Sequence, residues 1–167
     1  LNLLAIKKLI NKYENLLYLV VGDGPERNAL ERLVSSLNLN RHVKFIGHVL
    51  HSKAMEYMAG CEIFTMPSWQ ETFGLVYIEA MAHAKPIIGV RGQGVDGIVE
   101  HGKTGMLVKP RDVDSLVEAL DFLLSHPEEA KAMGERGRKL VLENYTWEKN
   151  AEKTIAVYEE VLRSASR

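Results

Sequence analysis

The chain has 167 residues, 46% hydrophobic and 26% charged, with a formal net charge of -1. That length gives one domain room for a core without disulfide or metal staples. Lys and Arg number 21 against 22 Asp and Glu, a balance that lacks the basic footprint of nucleic-acid binding or of attachment to an anionic surface. The single cysteine, Cys61, excludes an internal disulfide framework and suits a reducing compartment, so a cytoplasmic setting is expected. The longest apolar run, Leu16 to Val21, is far shorter than the roughly 20 residues of a membrane-crossing helix. The opening residues show no secretory-signal pattern.

Residue 1 is Leu1, and Leu3, Leu4, Ile6, Leu9, Ile10 and Tyr13 already recur at helical spacing. A chain that opens inside a helix is expected to be a piece of something longer. Leu16 to Val21 reads as a strand closed by Gly22-Asp23-Gly24-Pro25, and Glu26 to Leu37 as a helix with Leu30, Leu33, Val34 and Leu37 on one face. Val43 to Ile46 is the next strand, followed by Gly47 and a helix over Ser52 to Ala59. Glu62 to Met66 is a strand, and a loop from Pro67 to Phe73 leads into a helix over Gly74 to His83. Lys85 to Val90 is a further strand, Val95 to Glu100 a helical turn, and Gly105 to Val108 a last short strand. Three helices close the chain: Asp112 to Leu124 with Asp112 as cap, Pro127 to Asn144, and Thr146 to Arg163. The last, carrying Trp147, Ile155 and Tyr158, suits docking on a missing N-terminal half or capping of the domain's own core.

Strands that alternate with helices predict an α/β, Rossmann-like doubly wound parallel sheet with helices on both faces. Residues 1–167 read as one domain. In such a sheet ligands bind beyond the carboxyl ends of the strands, where four loops compete: Gly22 to Gly24, Gly47-His48, Pro67 to Gly74, and Arg91 to Gly94.

The third loop carries the most chemistry. Glu71 and Glu79 stand with seven residues between them, the first in the loop and the second one turn into the following helix. At Gly74 and Leu75 the helix begins, where unpaired N–H groups and the positive dipole end favour an anion. A rise of about 1.5 Å per residue puts Glu79 roughly 7 Å from that end, the span from a bound diphosphate to its ribose hydroxyls. Glu71 then lies toward the group on the distal phosphate. The plain alternative is two solvated glutamates, a helix-start glycine, and Phe73 and Trp69 as packing residues.

At this segment the sequence resembles the C-terminal, donor-binding domain of retaining GT-B glycosyltransferases, closest to family four. Val20 to Pro25, Val43 to Gly47, Met66-Pro67-Ser68 and His101 to Val108 resemble elements of that family. Glu71-Thr72-Phe73-Gly74-Leu75 with Glu79-Ala80-Met81-Ala82 is similar to its E-x7-E signature. The resemblance spans nearly the whole chain, which would be one half of a GT-B fold. It implies that Glu79 holds the nucleotide ribose and that Glu71 lies beside the donor sugar as the catalytic glutamate. It implies donor contacts from Phe73, Gly74 and Leu75 to the diphosphate and sugar, with Ser68 in the same loop. Gly47 and His48 would meet the base largely through backbone, beside Gly22. His48 with His51 does not make a metal pair, lacking a carboxylate or cysteine partner.

Three departures stand out. Ala84 occupies a position usually glycine, two before Pro86, and suggests a small packing change. Asp96-Gly97 replaces a common Pro-Glu. The family's diphosphate-neutralising arginine and lysine lie in a segment that would precede Leu1. The resemblance implies an enzyme that moves a sugar from a nucleotide-diphosphate sugar to a sugar, lipid or protein acceptor, with retention and without a metal or other cofactor. The acceptor would be bound by an N-terminal domain, and membrane association of the full-length protein is left open. The fragment alone is expected to be inactive. The other reading is a non-catalytic nucleotide-sugar-binding module or pseudoenzyme.

Overall fold

The computed structural model describes residues 1–165. Seven α-helices and five short strands alternate among them: α1 (Asn2–Leu9), β1 (Tyr18–Val21), α2 (Arg27–Ser36), β2 (Val43–Gly47), α3 (His51–Gly60), β3 (Phe64–Thr65), α4 (Leu75–Ala82), β4 (Ile87–Val90), β5 (Met106–Val108), α5 (Val113–Ser125), α6 (Pro127–Asn144) and α7 (Trp147–Ala165). Gly94–Gly97 forms a 3-10 turn. Every paired strand is parallel. All four residues of β4 are buried, as expected of a strand covered on both faces. Ile88 and Val90 point into a core shared with α1, α5 and α6, while Ile87 joins Tyr77, Ile78 and Met81 of α4 in another. Helices therefore lie on both faces, the architecture expected from the alternation.

The sheet itself is broken. β1 pairs with β2, and β3, β4 and β5 pair in that order, but no ladder joins the two groups. Their junction is made by a side chain and a helix. The Asn2 amide donates to the Tyr18 hydroxyl at 2.6 Å and to the Thr65 carbonyl at 3.4 Å, and accepts from the Thr65 hydroxyl at 3.2 Å. Around it, Leu3 and Ile6 of α1 pack with Val34 and Val43, whereas Ala5 and Leu9 pack with α5. Because β1 and β3 flank this seam, the strands wind outward from it in both directions.

Several local expectations are refined by what surrounds each segment. Of the apolar face of α2 only Val34 is buried; Leu30 and Leu33 remain 37% exposed. The Lys85–Val90 strand starts two residues later, at Ile87, because the preceding helix ends in a backbone reversal. Ala84 adopts φ 56, and the Lys85 N–H bonds back to the Ala80 carbonyl while the Ala84 N–H bonds to that of Met81. This is the six-to-one and five-to-two pairing that ends helices on a left-handed residue. The glycine-like demand at Ala84 is therefore backbone conformation, a correction to the packing change read from sequence. Asp112 caps α5 as expected, accepting from the Ser115 N–H at 2.9 Å. Helix α7 buries none of its residues, and Trp147 is 86% exposed. It does not cap this domain's core.

Candidate functional site

The carboxyl ends of the strands carry the loops singled out from sequence. Between β3 and α4, the chain turns at Gly74, which takes φ 72 as the residue preceding the helix. A β-carbon there would sit 2.5 Å from the Tyr77 ring and 3.1 Å from Glu71 Cγ. Only glycine fits this turn. No side chain caps α4, and the N–H groups of Phe73, Gly74, Leu75 and Val76 find no acceptor among the described residues. Unpaired donors grouped at a helix start make a ready anion site.

Two devices hold that loop. Tyr77 is 1% exposed, meets Phe64 edge-on with centroids 5.8 Å apart, and donates its hydroxyl to the Met66 carbonyl. Burial, with the Glu71 charge adding to it, pushes the Tyr77 hydroxyl up to about 12. The phenol therefore stays neutral and ties the end of β3 to α4. From the other side the loop after β4 grips Glu71 by its backbone. The Gln93 side-chain oxygen accepts from the Glu71 N–H at 3.1 Å, and the Glu71 carbonyl accepts from the Gly94 N–H at 3.0 Å. The half-buried Glu71 side chain keeps its carboxylate beside the helix start, where Cγ approaches Gly74.

The loops after β1 and β2 meet at Gly22 and Gly47. The Gly22 N–H donates to the Gly47 carbonyl at 2.9 Å, and both take positive φ. Asp23 is held below the usual carboxylate range, first by the Gly24 N–H and then by Arg27, with a smaller pull from His48. Arg27 spans Asp23 and Glu31 at 3.0 and 2.9 Å. His48 is exposed at the same corner.

The two groups of residues are linked by a contact invisible in the spacing. His51, first residue of α3, places Nε2 3.0 Å from Glu79 Oε1. The structure thus puts Glu71, Phe73, Gly74 and Leu75 at the start of α4, with Ser68 in the loop just after β3 and Glu79 one turn into the helix, and Gly22, Gly47 and His48 at the ends of β1 and β2. Trp69 and Phe73 are each 43% exposed. The first lies beneath the Arg111 guanidinium at 5.0 Å and the second near Tyr145 at 6.4 Å. Both are half-exposed and pack on a neighbouring side chain outside the core. Sequence reasoning missed His51 as a partner of Glu79, and missed Tyr77, Gln93 and Arg111 altogether. Of these only Tyr77 left a signal, as the aromatic residue three positions after an obligate turn glycine.

The sequence profile of the family described as glycosyl transferases group 1 matches residues 1–140. The chain belongs to this family. The matched span of this group 1 glycosyltransferase sequence includes every site residue named above. N-acetyl-alpha-D-glucosaminyl L-malate synthase of Bacillus anthracis is 35% identical over 159 residues, 95% of this chain and 41% of that protein. A GDP-mannose-dependent alpha-(1-6)-phosphatidylinositol monomannoside mannosyltransferase of Mycolicibacterium smegmatis is 33% identical over 150 residues, 86% of this chain and 39% of that protein. The solved sucrose-phosphate synthase of Thermosynechococcus elongatus matches with a TM-score of 0.82 and 30% identity, covering 97% of this chain and 42% of the other. The group 1 chain thus spans about two-fifths of the length of these relatives. Its architecture is that of one half of a GT-B glycosyltransferase. Among the described residues, no helix is long and apolar enough to cross a membrane.

Proposed function

We propose that this chain is the nucleotide-diphospho-sugar-binding half of a retaining glycosyltransferase. The observation that carries the reading is the uncapped start of α4, whose turn at Gly74 leaves adjacent N–H groups open between Glu71 and Glu79. A diphosphate accepts from Phe73, Gly74 and Leu75. Glu79, one helical turn further on, accepts from the vicinal ribose hydroxyls. The base then falls toward Gly22, Gly47 and His48, and the sugar toward Glu71. The mycobacterial relative, a GDP-mannose-dependent mannosyltransferase, supports a nucleotide-sugar donor.

Chemically, the bond between the sugar's anomeric carbon and the distal phosphate oxygen breaks, and a bond to an acceptor hydroxyl oxygen forms on the same face. The acceptor proton passes to the departing diphosphate. Developing charge on that diphosphate is met by fixed N–H donors, which need no rearrangement during reaction, with no step on a metal or cofactor. Glu71 stabilises the positive charge growing on the sugar. The acceptor and the cations that complete diphosphate neutralisation are assigned to the remainder of a longer protein, working in the cytoplasm, so the isolated chain binds donor weakly and transfers nothing.

Calorimetric titration of UDP, GDP and ADP into the chain tests the reading. Binding of at least one is expected, and Glu79→Gln should weaken it by roughly 1.5–3 kcal/mol for each lost charge-assisted hydrogen bond. Unchanged affinity in that variant removes Glu79 from the site. Donor consumption by the full-length protein separates an enzyme from a module that only binds.

A further inference from the structure

The contact between His51 and Glu79 bridges two elements with separate proposed tasks. His51 follows Gly47 by four residues and opens α3, directly after the loop assigned to the base. Glu79 lies on α4, in the position assigned to the ribose. The imidazole Nε2 stands 3.0 Å from Glu79 Oε1, with the two side chains 73% and 34% exposed. An ionised carboxylate only accepts hydrogen bonds, so Nε2 carries the proton. The one lysine of α3, Lys53, is engaged elsewhere, pairing with Glu56 of its own helix.

We infer that His51 is a positioning residue for the ribose-binding carboxylate, and this rests on the proposed role of Glu79. A glutamate on a helix surface samples many rotamers, and fixing one to receive a ligand costs conformational entropy. The His51 N–H fixes Oε1 before the nucleotide arrives. A carboxylate offers about four lone-pair sites, so one bond to His51 leaves Oε2 and the second lone pair of Oε1 for the two hydroxyls. The same bond ties the base-side loop to the ribose-side helix, setting the distance that a nucleoside must span.

The test compares UDP, GDP and ADP with their 2′,3′-dideoxy forms and with inorganic pyrophosphate, by calorimetry on the chain. The parent should prefer the ribonucleotide that it binds. His51→Ala should weaken that ribonucleotide about three- to tenfold, the range of one modest hydrogen bond, and leave the dideoxy form and pyrophosphate unchanged. His51→Gln, which retains an N–H donor, should recover part of the loss, and His51→Ala should add nothing in a Glu79→Gln background. Equal weakening of all three ligands by His51→Ala, or no weakening, overturns the positioning role. If Glu79→Gln lowers ribose preference while His51→Ala leaves it undiminished, only the inference about His51 falls. If Glu79→Gln leaves ribose preference intact, or the parent binds none of the nucleotides, the proposed function falls with it.

Discussion

A β-carbon at Gly94 would be driven into the Thr72 carbonyl, with the Phe73 nitrogen only 2.5 Å away. The loop after β4 is therefore packed backbone to backbone against the loop that presents the candidate anion site. Gly94→Ala must displace one of them. Overpacking of this kind costs about 1–3 kcal/mol of stability, and the displaced donors should lower nucleoside diphosphate affinity by at least about tenfold, since directional hydrogen bonds weaken steeply off-axis. Thermal unfolding and calorimetric titration on the same variant separate the two effects. Full affinity alongside lowered stability would show that the loop tolerates the shift.

At the end of α4, Ala84 takes a left-handed conformation that costs an L-residue about 1–2 kcal/mol. Glycine avoids that penalty and surrenders part of the gain to the unfolded chain's greater freedom. Ala84→Gly should therefore raise unfolding free energy by about 0.5–1 kcal/mol, read from urea midpoints at constant m.

The packing of α6 depends on the same residue. A β-carbon at Gly134 would collide with the Ala84 carbonyl oxygen, with its carbon only 2.7 Å away. Gly134→Ala forces α6 away from α4 even though alanine is the better helix former. Steric loss should outweigh the propensity gain of about 1 kcal/mol, leaving a net destabilisation in chemical denaturation.

Tyr77 gives the fold an alkaline limit. Its hydroxyl, pushed up to about 12 by burial, titrates near 10 in an unfolded chain. The folded state binds the proton more tightly, so this contribution is complete below pH 10 and is lost as pH rises toward 12. The full contribution, present below pH 10, is on the order of 3 kcal/mol. Unfolding followed between pH 9 and 12 should show that decline, and Tyr77→Phe should make it shallower, leaving the share of Tyr18, whose hydroxyl burial also pushes up, while lowering stability near neutrality through the lost bond to Met66.

Removing the cap at Asp112 should cost about 1 kcal/mol, because Asp112→Ala leaves the Ser115 N–H without its partner. The helical signal near 222 nm should persist below the transition, with the midpoint moved to lower denaturant.

Features governed by short stretches of chain were legible in the sequence. Pro127 and Asp112 marked helix starts within one residue, and Gly74 marked the turn that opens α4. The alternation of elements foretold parallel strands with helices on both faces. The break between β1 and β3 was not legible, because both strands carry ordinary strand residues and the break is a property of which edges meet. The left-handed state of Ala84 was hidden by an unremarkable side chain. The contact between His51 and Glu79, 28 residues apart, depends on how α3 and α4 converge, which no periodicity encodes.

The seam bridged by Asn2 gives the domain a fault line. Along it, β1, α2 and β2 meet the rest through the Asn2 amide, the packing of α1 and Leu16 and, just past β2, the His51–Glu79 contact, whereas β3, β4 and β5 share a continuous ladder. Opening that line breaks side-chain contacts only, so the smaller piece forms a cooperative unit of lower opening free energy. Amides of Tyr18–Val21 then exchange with deuterium ahead of those of Ile87–Val90. The corner carrying Gly22, Gly47 and His48 rides on the looser piece, and α4 stands on the firmer one.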